Sequence, residues 1–126
     1  MINIFLVGLG GAFGAMARYG VAWLASLFFH QSLLPYDTMI INILGCFLIG
    51  LLVGLGQSKW LFSPETYLFL SVGFLGGFTT FSTFAFEAFH LIAEKHLMLA
   101  FLDVVFQTFI GIAAVWFGYV LAVVVI

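Results

Sequence analysis

The sequence is short of charge. Asp, Glu, Lys and Arg make up 6% of its 126 residues, where a soluble domain carries about 25%. With 65% hydrophobic residues and a mean hydropathy of +1.30, it reads as an integral membrane protein. A formal charge of −2 leaves no basic patch for phosphate or anionic lipid, so nucleic acid is not an expected partner. Too few polar residues remain for a soluble catalytic module, and the length allows one domain, not an enzyme. Cysteine occurs once, at Cys46 in an apolar run, which excludes an intrachain disulfide and reads as a small packing residue. Proline occurs twice, and both Pro35 and Pro64 lie between apolar runs. No basic region precedes the first run and no clear cleavage site follows it, so a removed signal peptide is not expected.

About 20 apolar residues cross a bilayer core, and the apolar runs predict four transmembrane helices, near 3–29, 38–57, 65–93 and 97–125. The breaks carry Pro35-Tyr36-Asp37, Ser58-Lys59 through Ser63-Pro64-Glu65, and Glu94-Lys95-His96. Ser63 before Pro64 and Glu65 has the chemistry of an N-cap with proline at the first helical position. Short loops make consecutive spans antiparallel neighbours. The fold class is an all-α membrane bundle.

Lys and Arg in short loops normally fix which way a membrane protein inserts. Four spans put Lys59 on one side and Lys95 on the other, while Arg18 lies inside the first span. The two loop lysines cancel, which permits insertion both ways and pairing with an inverted copy. Gly10 and Gly14, Gly50 and Gly54, and Gly73 and Gly77 each have the small-xxx-small spacing that lets membrane helices approach closely.

The third span holds the least ordinary segment: Gly76-Gly77-Phe78-Thr79-Thr80-Phe81-Ser82-Thr83-Phe84, in a run with no charge from Thr66 to Phe86. In hydrocarbon, a chain departs from regular helix only where protein buries it or where it lines a polar cavity. The segment therefore points to a mid-membrane site that handles a small ion. The hydroxyls have a plainer use as well, in bonding back to carbonyls one turn earlier. Phe81 and Phe84 share a helix face, and ring edges carry positive partial charge that an anion can touch. With 17 phenylalanines in the chain, most rings simply pack or face lipid.

Other polar residues leave two uses open. Arg18 either snorkels or faces a polar vestibule, since a charge inside a span costs about 2.5–3.5 kcal/mol on insertion scales. Asn42 either ties helices together or donates to a permeating anion, because its amide has two N–H groups to satisfy. Glu87 and His90 have Glu-x-x-His spacing, but a di-metal bundle needs a second such motif. Asp103 and Gln107 share a face of the fourth span, and either line the same polar path or pair across helices. The Gly8-Leu9-Gly10-Gly11-Ala12-Phe13-Gly14 run lacks the strand, the βαβ unit and the later acid of a dinucleotide site.

Taken in order, Gly11-Ala12-Phe13-Gly14-Ala15-Met16-Ala17-Arg18-Tyr19, then Asn42 with Gly45 and Gly50, then Gly73 through Phe84 with Glu87, resemble the Fluc (CrcB) fluoride channels. The third-span motif is the specific part. The resemblance implies an antiparallel, dual-topology homodimer of four-helix subunits in a bacterial inner membrane, with the third helix broken near Gly76–Thr83. It implies passive fluoride export that relieves fluoride toxicity, with Asn42 donating to the ion and the edges of Phe81 and Phe84 along the path. Ser82 and Thr83 would supply polar lining, Arg18 would sit at a vestibule, and carbonyls of Gly76 and Thr79 from both subunits would hold a structural sodium ion. The fourth span departs from the family, which tends to use hydroxyl side chains where this chain has Asp103, Gln107 and Thr108.

The chemistry agrees with the resemblance. Fluoride holds water tightly, so its path has to replace that water with close donors, and amide N–H, hydroxyls and ring edges all serve. A fixed cation at mid-pore would hold the ion too firmly to conduct, and the third span has no Lys or Arg. The rival from another class is a small dual-topology multidrug antiporter, with Glu87 or Asp103 as its proton and cation site.

Overall fold

The structure, a computed structural model, describes residues 1–29, 31–59 and 61–125, the side chains of 57–59 and 125 excepted. The side chain of Lys59, half of the orientation argument, thus lies outside the described residues. Four helices are long and apolar enough to cross a membrane: Ile2–Phe29, Tyr36–Gly56, Pro64–Ala93 and Leu97–Val124. The described residues are helices and short turns, with no strand among them.

The boundaries follow local chemistry. The second helix starts at Tyr36 rather than at residue 38, because the Pro35 carbonyl already accepts the Met39 N–H at 3.0 Å. Asp37 then falls in the first turn, where a negative charge faces the positive end of the helix dipole. Tyr36 and Asp37 are therefore helix and not part of the break. Ser63 does cap the third span, its hydroxyl accepting the Thr66 N–H at 3.2 Å, with Pro64 next in the chain. The turn into the fourth span has Lys95 at φ 65°, the left-handed conformation that closes a helix end. The Lys95 N–H reaches Ile92 O at 3.0 Å and the His96 N–H reaches Leu91 O at 2.8 Å, so the helix-end carbonyls are satisfied and the chain reverses.

Two helix pairs build the bundle. The first span lies along the N-terminal half of the third, and the second lies along the fourth. Glycine permits both contacts. A Cβ on Gly14 would fall on the Phe74 carbonyl oxygen, and one on Gly77 would stand 2.5 Å from that of Gly11. A Cβ on Gly50 would meet the Val115 carbonyl, and one on Gly54 the Ala122 methyl at 2.7 Å. In lipid, where apolar burial drives little helix association, backbone contact of this kind is what holds helices together. All three glycine pairs read from the sequence stand at these contacts. The outward faces carry large apolar side chains such as Phe86, Phe109 and Trp116, each at least 65% exposed in the single chain, as suits a lipid-facing surface.

Candidate functional site

The third span loses its regularity well before it breaks. It runs as α-helix over Pro64–Leu68, widens to a π-helix over Phe69–Leu75, and closes with the short turn Gly76–Phe78. Thr79 (φ −83°, ψ 160°) and Thr80 (φ −150°, ψ 116°) are extended, and Phe81–Ala93 resumes the helix. The break expected within Gly76–Thr83 is thus two residues long. π-helical turns recur at functional sites because they displace the side chains and carbonyls that follow.

A break inside a membrane helix frees backbone groups that must find partners. Thr80 N–H, which would bond to Gly76 O in a continuous helix, is held instead by Asn42 Oδ1 at 3.0 Å. The same asparagine donates from Nδ2 to Thr80 O at 3.2 Å, and from Nδ2 to Gln107 Oε1 at 2.9 Å. Gln107 Nε2 in turn donates to Asp103 Oδ1 at 2.8 Å. A line of hydrogen bonds therefore crosses from the broken third span through the second to the fourth. It ends at Asp103, which has no exposed surface and whose Oδ2 has no partner among the described residues. Asn42 ties three spans together at the break, which is the first of the two uses read from its sequence position.

The hydroxyls divide. Thr79 Oγ1 bonds back to Leu75 O at 2.9 Å, the plain use for a membrane threonine. Thr80 caps the resumed helix: its Oγ1 accepts the Thr83 N–H at 3.3 Å and meets Thr83 Oγ1 at 3.0 Å and Ser82 Oγ at 3.4 Å. This N-terminal end of a helix carries positive partial charge. Because Thr83 N–H turns to the Thr80 side chain and Thr80 N–H to Asn42, the carbonyls of Thr79 and Gly76 leave the helical ladder.

Beside the break lies a cavity of about 460 Å³, with Asn42, Thr80, Phe81, Phe84, Gln107 and Thr108 on its wall, and Gly76 and Thr79 as well. The rings of Phe81 and Phe84 are 5.7 Å apart between centroids and inclined at 52°. Phe81 is 79% exposed, and a Cβ on Gly76 would meet nothing within 4 Å, so this wall is left uncovered by the chain's own residues. Ser82 and Thr83 belong to the capping cluster and not to the cavity wall. Arg18 is half-buried in the first span and is not among the residues on this cavity's wall. Glu87 accepts from Thr38 Oγ1 at 2.8 Å, which fastens the second half of the third span to the second span. His90 lies 3.3 Å from Glu94 at the surface, while Glu87 bonds to Thr38.

Asn42, Phe81 and Phe84, which the resemblance gives to an ion path, and Gly76 and Thr79, which it gives to a sodium site, all stand on the wall of this one cavity. Thr80 is the hydroxyl of that segment with no role in the resemblance, and Gln107 is left between lining the path and pairing across helices. The signal for Thr80 was its place just before the resumed helix. For Gln107 it was the i, i+4 spacing from Asp103.

A family model described as CrcB-like protein, Camphor Resistance (CrcB), matches residues 5–119. The chain belongs to this family. Among its relatives, a protein of Methanosarcina acetivorans named fluoride-specific ion channel FluC 1 is 38% identical over 97% of this chain and 92% of its own length. A fluoride-specific ion channel FluC of Nitratidesulfovibrio vulgaris is 41% identical over 94% of both chains. One of Flavobacterium psychrophilum is 38% identical over 97% of this chain and 98% of its own. Membership of the CrcB family and four helices able to span a bilayer make this a multi-pass membrane protein.

Proposed function

We propose that this chain forms a channel that lets fluoride leave the cell passively across a bacterial inner membrane. The observation that carries the reading is the two-residue break at Thr79 and Thr80, clamped by Asn42 beside the Phe81–Phe84 pair, in a family whose relatives bear the name of fluoride channels. Donors converge there without a fixed cation. Amide N–H, the positive end of a helix and ring edges replace the water that a small anion gives up, and each holds it weakly enough to release.

The channel is a homodimer of two inverted copies. The uncovered wall formed by Gly76, Thr79 and Phe81 is the face on which the second copy sits, and its rings complete the path begun by Phe84 and Asn42. The freed carbonyls of Gly76 and Thr79, doubled by those of the partner copy, suit a sodium ion, a hard cation that prefers oxygen. Bound there, the ion would pin the two breaks together. Ser82 and Thr83 shape the helix end that faces the ion, and Arg18 draws anions into the vestibule. The test is fluoride efflux from liposomes carrying the purified protein, with organic-cation uptake driven by a proton gradient as the mark of the antiporter reading.

A further inference from the structure

The hydrogen bonds around Asn42 leave its amide with no spare donor. Oδ1 accepts the Thr80 N–H, which fixes the orientation of the amide, and the two N–H bonds of Nδ2 go to Thr80 O and Gln107 Oε1. Thr80 O is backbone, fixed by the clamp. Gln107 Oε1 is at the end of a side chain with three rotatable bonds. Both Asn42 and Gln107 are on the wall of the cavity beside the break. An anion that binds to Asn42 there displaces Gln107.

We propose that Gln107 is the gate of this site: its carbonyl oxygen occupies the Asn42 N–H in place of the anion, and Asp103 latches it there. The latch follows from the polarity of an amide. Gln107 Nε2 donates to Asp103 Oδ1 at 2.8 Å, so the opposite end of the same amide, Oε1, points at Asn42. A flipped Gln107 would set oxygen against the Asp103 oxygen and nitrogen against Asn42 Nδ2. Asp103 acts through Gln107 and is a positioning residue. Its own burial on the fourth span keeps water from competing for the latch. When the anion takes the Asn42 N–H, Gln107 loses one hydrogen bond and swings on the Asp103 anchor.

The inference rests on the fluoride-channel reading, so wild-type protein is measured first. The half-saturating fluoride concentration is read in two ways: from efflux in liposomes, and from the NMR shift of the Asn42 side-chain amide in micelles. Gln107→Leu and Gln107→Met remove the competing oxygen, and half-saturation falls about fivefold, the equivalent of one hydrogen bond of about 1 kcal/mol no longer broken. Met keeps the length of the side chain, so the pair guards against a packing defect in either. Asp103→Leu releases the latch and shifts half-saturation the same way by a smaller factor. Asp103→Asn retains an acceptor for Gln107 Nε2 and stays near wild type. Unchanged half-saturation in both Gln107 variants, with wild type conducting, overturns the gate. Loss of flux in folded Gln107→Met also overturns it, because Gln107 then supplies a donor instead of withholding one. Wild type without fluoride flux and without an amide response overturns the channel reading itself.

Discussion

Asn42 and Thr80 meet through both backbone groups of the threonine, the N–H at 3.0 Å from Oδ1 and the C=O at 3.2 Å from Nδ2. A side chain of the second span thus makes the bonds that a neighbouring turn of helix would have made. The break in the third span is stable because this amide supplies an acceptor for the Thr80 N–H and a donor for the Thr80 C=O.

Replacing Asn42 separates its two uses. Asn42→Leu leaves the Thr80 N–H and C=O unpaired, at about 1–3 kcal/mol for each buried group, and lowers the thermal midpoint of the purified protein. Asn42→Asp keeps an acceptor for the Thr80 N–H but sets oxygens against Thr80 O and Gln107 Oε1. Fluoride flux should vanish, since a fixed negative charge repels the ion. A dimeric, stable and fully active Asn42→Asp protein would remove the residue from the path.

The rings of Phe81 and Phe84 act electrostatically in this account. Phe→Ile retains most of the bulk and deletes the positive ring edge. Each substitution should reduce fluoride flux at least tenfold, the effect of losing about 1.4 kcal/mol from the barrier side, in protein that still purifies as a dimer. Equal changes at Phe28, an outward-facing ring, and Phe117, which packs on Phe47, should leave flux near wild type. Wild-type flux from both pathway variants would leave these rings as packing.

Glycine substitutions test the helix contacts. Gly14→Ala drives a methyl into the Phe74 carbonyl and Gly50→Ala drives one into that of Val115, each an overpacking cost of about 1–3 kcal/mol. Gly8 has nothing within 4 Å of an added Cβ, so Gly8→Ala gains the helix preference of alanine, about 0.5–1 kcal/mol. Thermal unfolding of the three variants should order them with Gly8→Ala above wild type and the other two below.

How far the sequence could be read depended on the range of the interaction. Four helices followed from apolar runs and caps, since Ser63-Pro64 and Lys95 act within a turn of their own positions. The start of the second helix was missed by two residues because Pro35, taken as a breaker, works through its carbonyl as an acceptor. Gly76, Thr79, Phe81 and Phe84 lie on one short segment and were legible together. Gln107 was not, because its meaning depends on Asn42, 65 positions earlier in the chain, and on which end of its amide Asp103 holds. The break was visible as a composition, but its two-residue extent was set by what Asn42 could satisfy.

Orientation is open to chemical labelling. Single cysteines near Lys59 and near Lys95, in a chain with Cys46 replaced, should each be reached by an impermeant reagent from both membrane faces. Labelling of either site from one face alone would contradict insertion in both directions, and with it the inverted dimer.

The most direct measurement is the anion flux itself. Purified protein in liposomes loaded with fluoride, with a potassium ionophore to carry the balancing charge, should release fluoride with no proton gradient and should release chloride no faster than empty liposomes. A fluoride-tight membrane, or transport that appears only when a proton gradient drives an organic cation, would contradict the channel.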